Sequence, residues 1–181
     1  HEKMGFPARY FAYPFGVESL PYRGVLSKRG FSAGFGHHSG VAYPGADRMA
    51  LPRFPMTEGY ADLQRFHLAA AALVLPVHEV RPRNTYFDVP ERFQDTRLSF
   101  SLSPFIESPR KLACFATGQG RVPLTWTGTH SVRLEGLSLI RQDRTRINCT
   151  LPGPGDGRDA ESLQRWRWKG FLFHSNEKGR E

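Results

Sequence analysis

Lysine is scarce in this chain. Of its 25 basic residues 5 are lysines and 20 are arginines, in 181 residues carrying a formal charge of +8. This excludes a surface built mainly of flexible, strongly hydrated ammonium groups. What replaces them is the planar guanidinium, which pairs bidentately with carboxylate or phosphate and persists in interfaces. Cysteine is scarcer still. Two residues, Cys114 and Cys149, exclude a multi-bridge scaffold and any CxxC zinc or redox site. Long apolar runs are missing too. The longest, 68–77, is about half of what a bilayer-crossing helix needs, so no membrane span is expected.

Recognisable catalytic and metal motifs are also lacking. The histidines are His1, His37, His38, His67, His78, His130 and His174, and no two have the helical spacing of a zinc site. Gly36-His37-His38-Ser39-Gly40 places its serine one position too late for a nucleophile elbow. Gly34 and Gly36 do not complete a dinucleotide fingerprint. The acidic residues are scattered. The expectation is a protein without catalytic residues, metal or cofactor.

What is abundant is glycine, proline and aromatic residues, concentrated in residues 1–56. Gly5, Pro7, Pro14, Gly16, Pro21, Gly24 and Gly30 alternate with Phe6, Tyr10, Phe11, Tyr13, Phe15 and Tyr22. No helical or strand period survives there. Yet disordered chains are poor in aromatics, so these rings need a surface to lie on. The stretch reads as a long, irregular arm.

A helix is expected over 57–75, capped by Thr57, carrying Ala69 to Ala72 and stopped by Pro76. Tyr60, Leu63, His67, Ala70 and Val74 recur at three- and four-residue steps, which predicts a core-facing stripe. Strands follow at 77–80 and 85–87. In 97–103 strict alternation puts Leu98, Phe100 and Leu102 on one face. Residues 111–117 align Leu112, Cys114 and Ala116. Gly118-Gln119-Gly120 is turn chemistry, and 121–127 returns with Val122, Leu124 and Trp126. Pro123 marks that strand as an edge or bulge. Val132 and Leu134 precede a phase change at Gly136, with a hairpin tip at Gln142-Asp143. Ile147, Cys149 and Leu151 continue in phase, and 166–173 forms a last strand before a tail at 175–181.

The chain thus reads as mostly β: an antiparallel β-sandwich or barrel, arranged as a meander, with one main α-helix and a long irregular N-terminal arm. The domain reading is an arm at 1–56, a β-rich core at 57–174 and the tail.

Three basic groups are candidate contact sites. Arg141, Arg144 and Arg146 cluster at the hairpin tip. Arg165-Trp166-Arg167-Trp168-Lys169 alternates cations with rings, so Arg165, Arg167 and Lys169 would hold phosphates if the tryptophans stacked bases. The simpler alternative puts both tryptophans in the core with Leu172. Arg81 and Arg83 flank Pro82.

Dispersed arginines and an aromatic arm predict a non-catalytic accessory subunit of a large organellar assembly: a respiratory or ATP-synthase complex, or the mitochondrial ribosome. Other subunits would contact it through the arm. A mitochondrial location rests on the basic balance, the subunit-like composition and the fit of a removed transit peptide with a His1 start. The first alternative is an RNA- or single-strand-binding β-domain. The second is a secreted, carbohydrate-binding β-sandwich, which predicts a Cys114–Cys149 bridge and a glycan at the Asn148-Cys149-Thr150 sequon.

Overall fold

A computed structural model describes residues 5–57, 59, 62–87, 97–137, 144–154 and 164–175. The fold is mostly β. A four-stranded sheet runs β4 (Val77–Arg81), β6 (Ser99–Leu102), β10 (Ser131–Leu134), β9 (Leu124–Trp126). A larger sheet runs β3 (Leu73–Val74), β12 (Trp166–Ser175), β11 (Arg144–Pro152), β7 (Ala113–Ala116), β8 (Gly120–Val122). β5 (Tyr86–Phe87) also pairs with β12.

One cluster of buried side chains joins the two sheets. Leu98, Phe100, Leu102, Val132 and Leu134 come from one side, and Leu112, Ala116, Val122, Ile147, Leu151, Phe171 and Phe173 from the other. This is the β-sandwich that the alternation implied; the inward positions are those expected except on the last strand, where Phe171 and Phe173 face the core in place of Trp166, Trp168 and Leu172. Cys114 and Cys149 are directly paired across β7 and β11, form a disulfide and are fully buried.

The order of strands departs from a meander. β11 lies between β7 and β12, while β10 lies in the other sheet between β6 and β9. The strand expected over 121–127 divides at Pro123, with β8 in one sheet and β9 in the other. Proline cannot donate to a ladder, so the chain changes sheets there.

The helix expected over 57–75 forms as α2, Leu63–Ala70. Its cap is Asp62, whose Oδ1 accepts from the Arg65 N–H at 2.8 Å, rather than Thr57. Leu73 and Val74 leave it to pair with β12. No residue of α2 is buried, and Leu63 and Phe66 are exposed, so the stripe does not face the core.

The arm is irregular over most of its length but contains three short elements that its glycines and prolines concealed. β1 (Tyr10–Ala12) and β2 (Ala33–Phe35) pair in parallel, and α1 (Leu20–Lys28) connects them. A parallel pair requires such a crossover. Ser19 caps α1 by accepting from the Tyr22 N–H, and Pro21 stands in the first turn, where it removes no helical hydrogen bond. Tyr13, Leu26 and Ala33 are buried between these pieces.

The arm docks on the outer face of β12. Phe171 and Phe173 face the sandwich core, whereas Leu172 and His174 are buried on the opposite side. Gly40 bridges to Lys169, and a Cβ on Gly170 would strike the Ser39 backbone. Glycine is needed at 170 for that approach.

Candidate ligand cavity

Both parallel strands run toward the same place. Beyond the carboxyl end of β1 the chain turns through a 3-10 segment, Pro14–Gly16, in which Phe15 is left-handed (φ 56°), and reaches Glu18. Beyond β2 it reaches His38, Ser39 and Gly40. In open parallel sheets, ligands bind outside the carboxyl ends of the strands. Here these two segments, β4 and β12 enclose a cavity of about 580 Å³. That lies within the range of small-molecule sites.

Glu18 is only 2% exposed. Its carboxylate takes the Arg23 Nε–H at 2.6 Å, and Arg23 also reaches Asp47 at 3.0 Å. Burial opposes the Arg23 charge, but the hydrogen bond and charge of Glu18, with Asp47, outweigh it and raise its pKa. The Glu18 carbonyl accepts from the Thr85 hydroxyl at 2.9 Å and from His174 Nε2 at 2.7 Å. A carbonyl only accepts, so Nε2 of His174 carries the proton. Burial lowers the His174 pKa further than this bond raises it. Tyr13 donates to the Met49 carbonyl, and its phenol is pushed up to about 12 by burial and by Glu18.

His38 is 7% exposed, and burial, helped by Lys169 and Arg23, pushes its pKa down to about 3. It is a neutral imidazole at any ordinary pH. Neither its ring nor the buried Ser39 hydroxyl has a hydrogen-bond partner among the described residues. Both line the cavity, where their polar atoms keep some solvent access. Lys169 lines it as well, its ammonium 5.4 Å from the Phe171 ring centroid, with its pKa lowered by burial.

Glu79 lies on the β4 wall. It too is left-handed (φ 54°), within an irregularity between His78 and Arg81. Strained residues and bulges recur where a side chain is re-aimed at a site. Its Oε2 accepts from Ser101 at 2.9 Å.

The sequence-predicted contact residues divide. Lys169, Arg81 and Arg83 come together on this cavity, with the two arginines exposed at its edge. Arg165 donates to the Ala71 carbonyl and Arg167 to the Val74 carbonyl, so both tie β12 to its neighbours. Arg144 donates to the Phe15 carbonyl and lies 5.2 Å over its ring. Arg146 is exposed on β11. Arg141 and the tip at 142–143 lie outside the described residues.

Trp166 and Trp168 are half-buried on the arm side of β12, neither in the sandwich core nor open for stacking. Trp168 meets Phe54 edge-on and donates to Asn148 Oδ1 at 3.1 Å. The sequon asparagine is thereby engaged in mid-strand. Among the described residues no group of three or more metal-ligating side chains converges.

Glu18, Arg23, Asp47 and Glu79 were not singled out by the sequence. Only the Gly-His-His-Ser-Gly stretch hinted at a site, through its density of functional groups. No protein-family model, no curated protein and no solved structure matches the chain.

Proposed function

We propose that this chain is a saccharide-binding β-sandwich protein of an oxidising compartment, its ligand held in the cavity between the arm and β12. The observation that carries the reading is the buried Cys114–Cys149 bridge between paired strands. Such bridges persist outside reducing compartments. The cavity supports it further: aromatic walls from Trp168 and Tyr43 stand beside an unpartnered imidazole and hydroxyl. Saccharides present apolar ring faces and many hydroxyls, which suits that mixture. A glycan on Asn148 forms no part of the reading, because that amide is engaged with Trp168.

Two measurements test it. Intact mass under non-reducing conditions is expected to be lower by two hydrogens than after reduction. Ligand-observed NMR against a panel of monosaccharides should show binding that is lost when Trp168 is replaced by alanine. Native chain with two free thiols, or no saccharide binding at all, would sink the reading.

A second reading, the accessory subunit of a large assembly, is favoured by the arm. Phe6, Tyr10, Phe15 and Tyr22 remain exposed, Phe15 at 73%. Among the described residues β1 pairs with β2 alone, which leaves its other edge open. The Arg9 carbonyl and the Tyr13 N–H bond toward β2, so the alternate groups on Tyr10 and Ala12 face away from it. The disulfide then fits an assembly facing an oxidising space better than one in a reducing matrix. If size-exclusion chromatography of the native material gives a compact monomer with a protease-resistant arm, this second reading fails.

A further inference from the structure

Resting on the saccharide reading, we infer that the cavity selects a carboxylate-bearing sugar, with Lys169, Arg81 and Arg83 receiving the acid and His38, Ser39 and Glu79 engaging hydroxyls.

The charges lining the cavity are unevenly used. Glu18 and Asp47 are both engaged by Arg23. The side chains of Lys169, Arg81 and Arg83 have no carboxylate partner among the described residues. Lys169 is half-buried, and burial disfavours its charge more than the nearby Glu18 carboxylate favours it. An entering anion relieves that. The two arginines stand exposed at the edge, where their forks can take a second oxygen or guide approach.

The rest of the lining argues against a polyanion. Glu18, Asp47 and Glu79 line the same cavity, and carboxylates repel successive phosphates while accepting from hydroxyls. His38, neutral and buried, can donate to one hydroxyl oxygen or accept from another, as can Ser39. One anionic substituent on a polyol satisfies both sets of groups. Single-stranded nucleic acid satisfies only the first.

The test compares D-glucose, D-glucuronate and D-glucose 6-sulfate, which differ only in the group at the sixth carbon. An oligothymidylate is a fourth arm. Each is titrated into the full oxidised chain and followed by NMR at Lys169 and His38. Glucuronate is expected to bind about ten-fold tighter than glucose, the gain of one charge-assisted contact. Lys169→Met should abolish that preference, so that glucuronate binds no tighter than glucose to the variant. The exposed pair Arg81→Ala/Arg83→Ala should narrow the ratio of glucuronate to glucose affinity.

Equal binding of glucose and glucuronate overturns this inference and leaves the saccharide reading intact, as does tighter binding of the sulfate. No saccharide binding removes both. An oligothymidylate that binds tightest and competes at Lys169 replaces both with a nucleic-acid site.

Discussion

The arm and the sandwich are held together by different physics. The sandwich closes on a continuous apolar cluster and a buried disulfide. The arm buries little of its own beyond Tyr13, Leu26 and Ala33, and it is tied to the sandwich largely by directed polar contacts. Glu18 meets Thr85 and His174, Gly40 bridges Lys169, and Arg144 reaches Phe15. Apolar burial is non-directional and tolerates small shifts, whereas hydrogen bonds to backbone need a fixed approach. A boundary of the second kind leaves polar groups and a cavity, which is where a ligand finds partners.

That contrast can be broken first at the disulfide. Replacing Cys114 and Cys149 by alanine should cost about 4 kcal/mol for a loop spanning 35 residues. Denaturant unfolding should show both regions lost together, because the arm has no surface of its own to fold on. Persistence of the arm's helix signal after the sandwich melts would contradict this.

Gly170→Ala attacks the boundary alone. Its Cβ collides with the Ser39 backbone, so the expected cost is about 1–3 kcal/mol. Limited proteolysis should now cut in the arm, while the sandwich core keeps its slow amide exchange.

Acid should act on the same boundary. His38 and His174 are held neutral when folded, chiefly by burial, and protonate near 6.5 when unfolded. Below that pH the unfolded chain takes up more protons, so stability is present above about 6.5 and falls as pH drops. For His38, whose folded value is about 3, the slope is about 1.4 kcal/mol per pH unit, and His174 adds to it in the same direction. Denaturation series at pH 7, 6 and 5 should show it, and His38→Gln should flatten it. A flat profile in the unaltered chain would mean that the imidazoles are not buried as described.

The smallest effect is expected at Asp62→Ala, which removes the cap of α2 and should cost about 1 kcal/mol. Since α2 has no fully buried residue, the sandwich and the cavity should be unaffected. A change in ligand affinity would show that the helix matters to the site.

Much of the sandwich was legible in the sequence, because a half-buried strand declares itself by alternation. Leu98, Phe100 and Leu102, or Ile147, Cys149 and Leu151, need no knowledge of their partners to be read as inward. The arm was less legible. Ser19-Leu20-Pro21 is a sound helix start, but the glycines around α1 outweighed it, and three-residue strands are too short to show a period. The exposed face of α2 has a similar cause: helical spacing reveals a stripe, not whether anything covers it.

Local pattern thus determined which residues of this chain are strands and which side of each is apolar, since periodicity is a property of neighbours along the chain. Pairing was decided elsewhere. The change of sheet at Pro123, the parallel join of β1 to β2 and the meeting of His38 with Lys169 depend on contacts between residues far apart in sequence. The cavity belongs entirely to this second kind. Its walls come from positions 18 to 173, and no short window of sequence holds more than a fragment of it. They form one site only when the arm lies down on β12.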